Sequence, residues 1–402
     1  MTTHSRRAFL AATAAWTAAS RALGSAPDGP PEPEPALRER IEACRPSRHG
    51  GKLAEFRPRD RIGASHVAGL YSPRPDRSFL VEGAERLIDL GTRAAKFWFT
   101  PRTITSSYRW GSNWPEGLDT FVDLARTDDF RAVFDLPFSV IALEALLPHD
   151  EAWRDRAPDG PEAVEESERA MYELARHLHA AYRDRPVTFI LQNWESDWRF
   201  RGATTETWDP PAEEVKRLSD RMVRWLAARQ RGVERARAES PGARCRVAHA
   251  VEVNRVLDGF GGVPNVTRMV LPRVELDLVS YSSYDALSSP ATLAVAIGEI
   301  RRHARTGPLF GPGAVMLGEI GIPENDQPAR IAERWDGWIG AALALDVPYI
   351  FQWQLYCNEP RAGRPKPEAP IRDAGECRGF FLVRPDGSLG ETGRLFAEWW
   401  RA

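Results

Sequence analysis

Two glutamates stand where a carboxylate is costly. Glu195 follows Thr188-Phe189-Ile190-Leu191, and Glu319 follows Ala314-Val315-Met316-Leu317-Gly318. Apolar runs of this length read as buried strands, and a buried strand ending in a carboxylate needs a solvated mouth or partners for the charge. A pair of such acids facing one cleft suits glycosidic bonds: one protonates the departing oxygen while the other attacks or activates water. Other candidates at strand ends are His66, Lys96, Asp135, Asn193, Glu252, Tyr281, Tyr284 and Trp353. Any single acid among them is more simply explained as a salt bridge to an Arg-rich helix; the pair with its aromatic company points to catalysis. Of fourteen tryptophans, Trp110 and Trp114 follow the second strand, and Trp194 and Trp198 end or follow the fourth. Sugar rings pack their C–H faces on such planes, so clustered loop indoles suit a glycan, an extended polysaccharide more than a single sugar. Singly, each could equally anchor a loop to the rim. Trp335, Trp338, Trp399 and Trp400 have helical spacing and belong to the core.

Distant strand ends meet only on a scaffold that gathers them. From about residue 60, strand candidates at 62–70, 94–100, 132–137, 187–195, 246–254, 276–284, 314–320 and 348–355 alternate with amphipathic stretches such as Phe79–Leu90 and Ala212–Arg235. Eight strands alternating with helices imply a parallel sheet covered on both faces, either doubly wound or closed. No GxGxxG or GxxxxGK turn follows a strand. The count of eight therefore predicts an α/β fold of the (β/α)8 TIM-barrel type, one domain over residues 59–402, with catalytic groups at the C-terminal strand ends.

The chain's 54 basic and 56 acidic residues give a formal charge of −2, which argues against a nucleic-acid binder. No apolar run is long enough for a stable membrane span. Ser5-Arg6-Arg7-Ala8-Phe9-Leu10, an apolar run to Ser20 and small residues at Ala22 and Gly24 form a twin-arginine signal over 1–24. A Pro-rich linker and extension (25–58) follow. The expectation is a periplasmic or secreted protein handled by the twin-arginine export machinery. Cys357 and Cys377 bracket the segment after the last strand, as a disulfide or as two free thiols. The four cysteines have no zinc-like spacing.

Asn193-Trp194-Glu195, Gly318-Glu319-Ile320-Gly321, Tyr281 with Tyr284, and Phe351-Gln352-Trp353 resemble the clan A retaining glycoside hydrolases. The resemblance runs from about Ile62 onward and includes the closing segment Phe380–Gly387. It implies a cofactor-free hydrolase of β-linked oligo- or polysaccharides. Glu195 would be the acid/base, Glu319 the nucleophile, Tyr284 or Tyr281 the nucleophile's hydrogen-bond donor, and Trp353 the plane under the sugar. Trp194 separates Asn193 from Glu195, where the clan has Asn directly before the acid. Lys96 stands as the positive charge where the clan usually has Arg near strand two. Two other readings remain. One is a metal-dependent sugar isomerase or epimerase using Glu195, Glu252, Asp285 and His66 or His249. The other is a glycan-binding barrel without working acids.

Overall fold

The computed structural model describes residues 30–48, 50–147, 160–205, 207–361, 363–368 and 370–401. The export signal lies outside them, as does the start of the Pro-rich linker. Eight parallel strands close on themselves: β1 (Ile62–His66), β2 (Ala94–Phe99), β3 (Val140–Ala145), β4 (Thr188–Asn193), β5 (Arg246–Val253), β6 (Leu278–Ser282), β7 (Val315–Ile320) and β8 (Ile350–Gln352). Each pairs with its sequence neighbours, and β8 closes on β1 through Ile62–Ile350 and Ala64–Gln352. The expected TIM barrel is the observed one.

Helices cover the outside where their apolar spacing permits. The helix Phe79–Leu90 starts on a Ser78 side chain that accepts Val81 N–H, stops at left-handed Gly91, and buries Leu80, Ala84 and Leu87. From Pro35 the extension is helical: Pro35–Ala43, Gly50–Phe56 and Pro58–Arg61 bury Ile41, Leu53 and Phe56. Ser47 clasps Asp336 through its backbone N–H (2.7 Å) and hydroxyl (2.8 Å).

The third strand corrects the sequence reading. Residues 128–135 are a helix with Phe130, Val133 and Phe134 on its buried face, capped by Thr127 and halted ahead of Pro137. Ala132-Val133-Phe134 looks strand-like only if the i, i+3, i+4 spacing from Phe130 is overlooked. The strand starts at Val140, beyond the proline. Asp135, expected at a strand end, is therefore an exposed residue closing that helix.

Inside the barrel, Ala94, Val140, Ala142, Ile190, Ala250, Leu278, Met316 and Phe351 form a dry lower layer. Alternation along the strands puts Lys96, Glu144, Gln192, Glu252 and Ser280 one step higher, all fully buried. Strand β7 breaks alternation at this level. Its register with β6 passes from Leu317–Tyr281 directly to Glu319–Ser282, so Gly318 is the extra residue of a bulge. Without it Glu319 would face outward. A Cβ at Gly318 would lie 1.8 Å from Ser280 Oγ and 2.6 Å from Glu252 Oε1, so glycine is what allows the bulge beside that polar layer.

Cys357 and Cys377 are buried and unbonded. Their side chains interact with each other, beside the Glu359 and Ala374 carbonyls.

Gly318→Ala is expected to destabilise by roughly 1–3 kcal/mol through overpacking. Thermal unfolding checks this; an unchanged melting temperature would mean the bulge has room that the contacts deny.

Candidate active site

The centre of the site is an ammonium ion. Lys96 Nζ, with no solvent exposure, lies 2.7 Å from Glu144 Oε1, 3.0 Å from Glu252 Oε1 and 3.0 Å from Glu319 Oε1. It also donates to the Gly318 carbonyl at 3.2 Å, a contact the bulge provides. Gln192 Nε2 ties Glu144 (2.8 Å) to Glu252 (2.9 Å), and Ser280 Oγ adds a third donor to Glu252 Oε1 at 3.0 Å. Four strands thus hold one cation among three carboxylates.

Glu195 stands above this layer. β4 ends at Asn193, and Glu195 adopts left-handed backbone (φ 34°, ψ 67°) ahead of the short helix Ser196–Arg201. Such a conformation is unfavourable for a residue with a Cβ and needs its surroundings to hold it. Two carboxylates do so. Glu252 Oε2 accepts the Glu195 backbone N–H (3.2 Å), and buried Asp197 accepts the backbone N–H groups of Asn254, Arg255 and Val266. The Glu195 side chain then receives the Ser282 hydroxyl on Oε1 and the Trp198 indole N–H on Oε2, both at 2.8 Å. Ser282 is the register partner of Glu319, so the hydroxyl that holds Glu195 and the second acid stand side by side on β6 and β7.

The two acids differ in their company. Burial, reinforced by the Glu252 charge, pushes Glu195 up to about 8, against its two neutral donors. Burial also raises Glu319; the Lys96 ammonium opposes that, while Glu252, Glu195 and Glu144 add to it. Both carboxyls are thus held above the ordinary carboxylate range; they differ in that Glu319 bonds a cation and Glu195 only neutral donors. The Trp198 indole opposes the rise at Glu195 by donating to its carboxylate.

Trp353 (with a cis peptide to Gln354), Trp98 and Trp194 form an aromatic wall at the mouth. Ring centroids are 5.7 Å apart between Trp353 and Trp98, and 6.5 Å between Trp98 and Trp194, with planes tilted by 60° and 57°. The Trp353 indole is directed at Glu359, which is paired with Arg378. Tyr284 lies within electrostatic reach of Glu319, Glu359 and Glu195, which together with burial hold its hydroxyl well above its usual range.

Other expected site residues lie elsewhere. Tyr281 points away from the barrel axis and its hydroxyl binds Asp285. Asn193, also outward, donates to Ser196 Oγ (2.6 Å) and so braces the turn rather than facing a sugar. His66 is packed under Phe79–Leu90, its Nε2 on the Phe79 carbonyl, in space left open by Gly83. Burial lowers it to about 4. Trp110 packs edge-on against Phe79, and Trp114 donates to the Tyr108 carbonyl beside Phe130, so both anchor the rim. Sequence reasoning missed Glu144, Ser282 and Gln192. Glu144 carried the usable signal, since Val140-Ile141-Ala142-Leu143 before it is the same apolar run that marks Glu195 and Glu319.

The metal reading does not fit. His249 binds Gln230 and Arg229, His66 binds a backbone carbonyl, and Asp285 binds Tyr281, so that donor set does not converge. Among the described residues, Glu144, Glu252 and Glu319 do bring ligand oxygens within 4.8 Å of one another. The space between them, however, is filled by the Lys96 ammonium, which bonds an oxygen of each.

No family model matches the chain, and no curated protein matches it. Solved structures do. A GH5_18 protein from Streptomyces cattleya, solved in complex with GlcNAc, superimposes with a TM-score of 0.54 at 18% identity, over 85% of this chain and 80% of that one. A GH5_18 protein from Bifidobacterium longum gives 0.52 at 13% identity, over 85% and 78%. At these identities the likeness establishes the fold alone: this chain has the same closed eight-stranded barrel as those two structures.

In a ¹³C carboxyl titration, Glu195 is expected to have its midpoint at about 8. Trp198→Phe removes a donor that favours the anion and should raise the midpoint by roughly one pH unit. A midpoint that stays or falls would show that the indole does not bind the carboxylate.

Proposed function

We propose that the protein is a retaining glycoside hydrolase acting by double displacement on β-linked oligo- or polysaccharides. The observation that carries this reading is the unequal acid pair: Glu195 held by neutral donors and Glu319 held by an ammonium, joined across Ser282 at one mouth.

Lys96 engages Glu319 Oε1, which leaves Oε2 for attack on the anomeric carbon. As that bond forms, the glycosidic C–O bond breaks and Glu195 transfers its proton to the departing oxygen. The result is a glycosyl ester on Glu319 and a Glu195 carboxylate. Water then attacks the same carbon, gives its proton to Glu195 and releases Glu319, so the anomeric configuration is restored. Trp353 with Trp98 offers the apolar planes against which the sugar's C–H face would pack. A second solved structure of the GH5_18 protein from Bifidobacterium longum, a single-site variant (TM-score 0.50, 13% identity), holds Manb1-4GlcNAc. This disaccharide is therefore a rational first probe beside β-glucan and mannan oligomers.

Glu319→Ala is expected to abolish turnover while the protein stays folded, with azide restoring cleavage of an activated aryl glycoside as the inverted glycosyl azide. Wild-type activity in that variant would sink the assignment. We further propose export through the twin-arginine signal. Replacing Arg6 and Arg7 by Lys should leave the protein in the cytoplasm on cell fractionation, and unchanged export would refute it.

A further inference from the structure

Glu252 is a buried carboxylate that the displacement mechanism leaves without a task. It touches neither proton donor nor nucleophile through their reacting atoms, yet its two oxygens reach toward both. Oε2 accepts the backbone N–H of Glu195 at 3.2 Å. Oε1 accepts Lys96 Nζ at 3.0 Å, Gln192 Nε2 at 2.9 Å and Ser280 Oγ at 3.0 Å. Lys96 in turn holds Glu319 at 3.0 Å and Glu144 at 2.7 Å.

Resting on the hydrolase reading, we infer that Glu252 is a positioning residue that couples the two catalytic glutamates. One oxygen fixes the left-handed backbone that aims Glu195 into the mouth; the other anchors the ammonium that serves Glu319. Its charge acts on both sites. Beside Glu195 it disfavours a second anion and so helps keep the acid protonated. Beside Lys96 it competes with Glu319 for the cation. The groups that face it are Lys96 from β2, Glu144 from β3 through Gln192 of β4, Glu195 from the turn after β4, Ser280 from β6 and Glu319 from β7. Among these groups Lys96 alone is a cation. Bonds to four donors also make the side chain irreplaceable by its own amide. An NH₂ group of glutamine would face either the Glu195 N–H or the trio of Lys96, Gln192 and Ser280, donor against donor.

The test is Glu252→Gln in the full-length protein, with two readouts. The first needs no substrate: the ¹³C carboxyl titration of Glu195 should fall by about one pH unit or more on loss of the neighbouring charge. The second is turnover, where kcat should fall by about 100-fold, with KM within about threefold, because the acid is misplaced while the sugar-binding planes remain. Glu252→Asp keeps the charge and shortens the reach. It should hold the Glu195 midpoint near its wild-type value while kcat still falls, and it carries the test should the glutamine variant fail to fold. The inference is overturned if Glu252→Gln, or Glu252→Asp in its place, leaves kcat within about twofold of wild type. It is equally overturned if a folded Glu252→Gln leaves the Glu195 midpoint in place. The outcome is separable from the hydrolase reading: a shifted midpoint in a protein that cleaves no glycoside would retain the coupling and discard the activity. Azide rescue of Glu319→Ala beside a Glu252→Gln variant with wild-type kcat and Glu195 midpoint would do the reverse.

Discussion

The buried ammonium of Lys96 is the constraint on which the rest of the site depends. A cation with no solvent exposure is tolerated only when its surroundings return what water supplied, and removing one partner of such a pair typically costs about 3–5 kcal/mol. Here three carboxylates share that task. They outnumber the cation, and the excess negative charge is what burial and crowding convert into bound protons. The acids are also distinguished by their partners: one is bonded to the ammonium, the other to a hydroxyl and an indole.

Two departures from regular backbone turn this charge arrangement toward the mouth. The bulge at Gly318 returns Glu319 to the barrel axis and exposes a carbonyl to the lysine. The left-handed turn at Glu195 lifts the second acid above the layer, and Asp197 and Glu252 hold it there by accepting backbone N–H groups. Neither conformation would persist in an isolated segment. The surrounding network stabilises both, so the precision of the site comes from buried polar contacts and not from rotamer preference alone.

Much of the fold was legible in the sequence because a parallel barrel repeats one signal: an apolar run, a turn, an amphipathic helix. Seven strands fell where those runs lie, and the remaining one was misplaced because Phe130, Val133 and Phe134 form a helical face that also reads as a short apolar stretch. That single slip hid Glu144 and promoted Asp135. Glu195, Glu319 and Lys96 were identifiable as charges ending or entering buried strands. Tyr281, Asn193 and His66 were not separable from them, since strand ends present residues to both faces and only register decides which face meets the axis. The bulge at Gly318 was similarly invisible, because a glycine before a glutamate carries no local mark of a shifted pairing.

Lys96 reaches its partners across long stretches of chain, 156 residues to Glu252 and 223 to Glu319. Contacts of such separation form late, after the entropy of closing those loops has been overcome. A chain that has emerged only as far as β6 would have to keep that side chain hydrated, and could not dry its own centre. Neutralisation of one lysine is thereby a closing condition for the barrel: the last third of the polypeptide must arrive before the first third can be sealed.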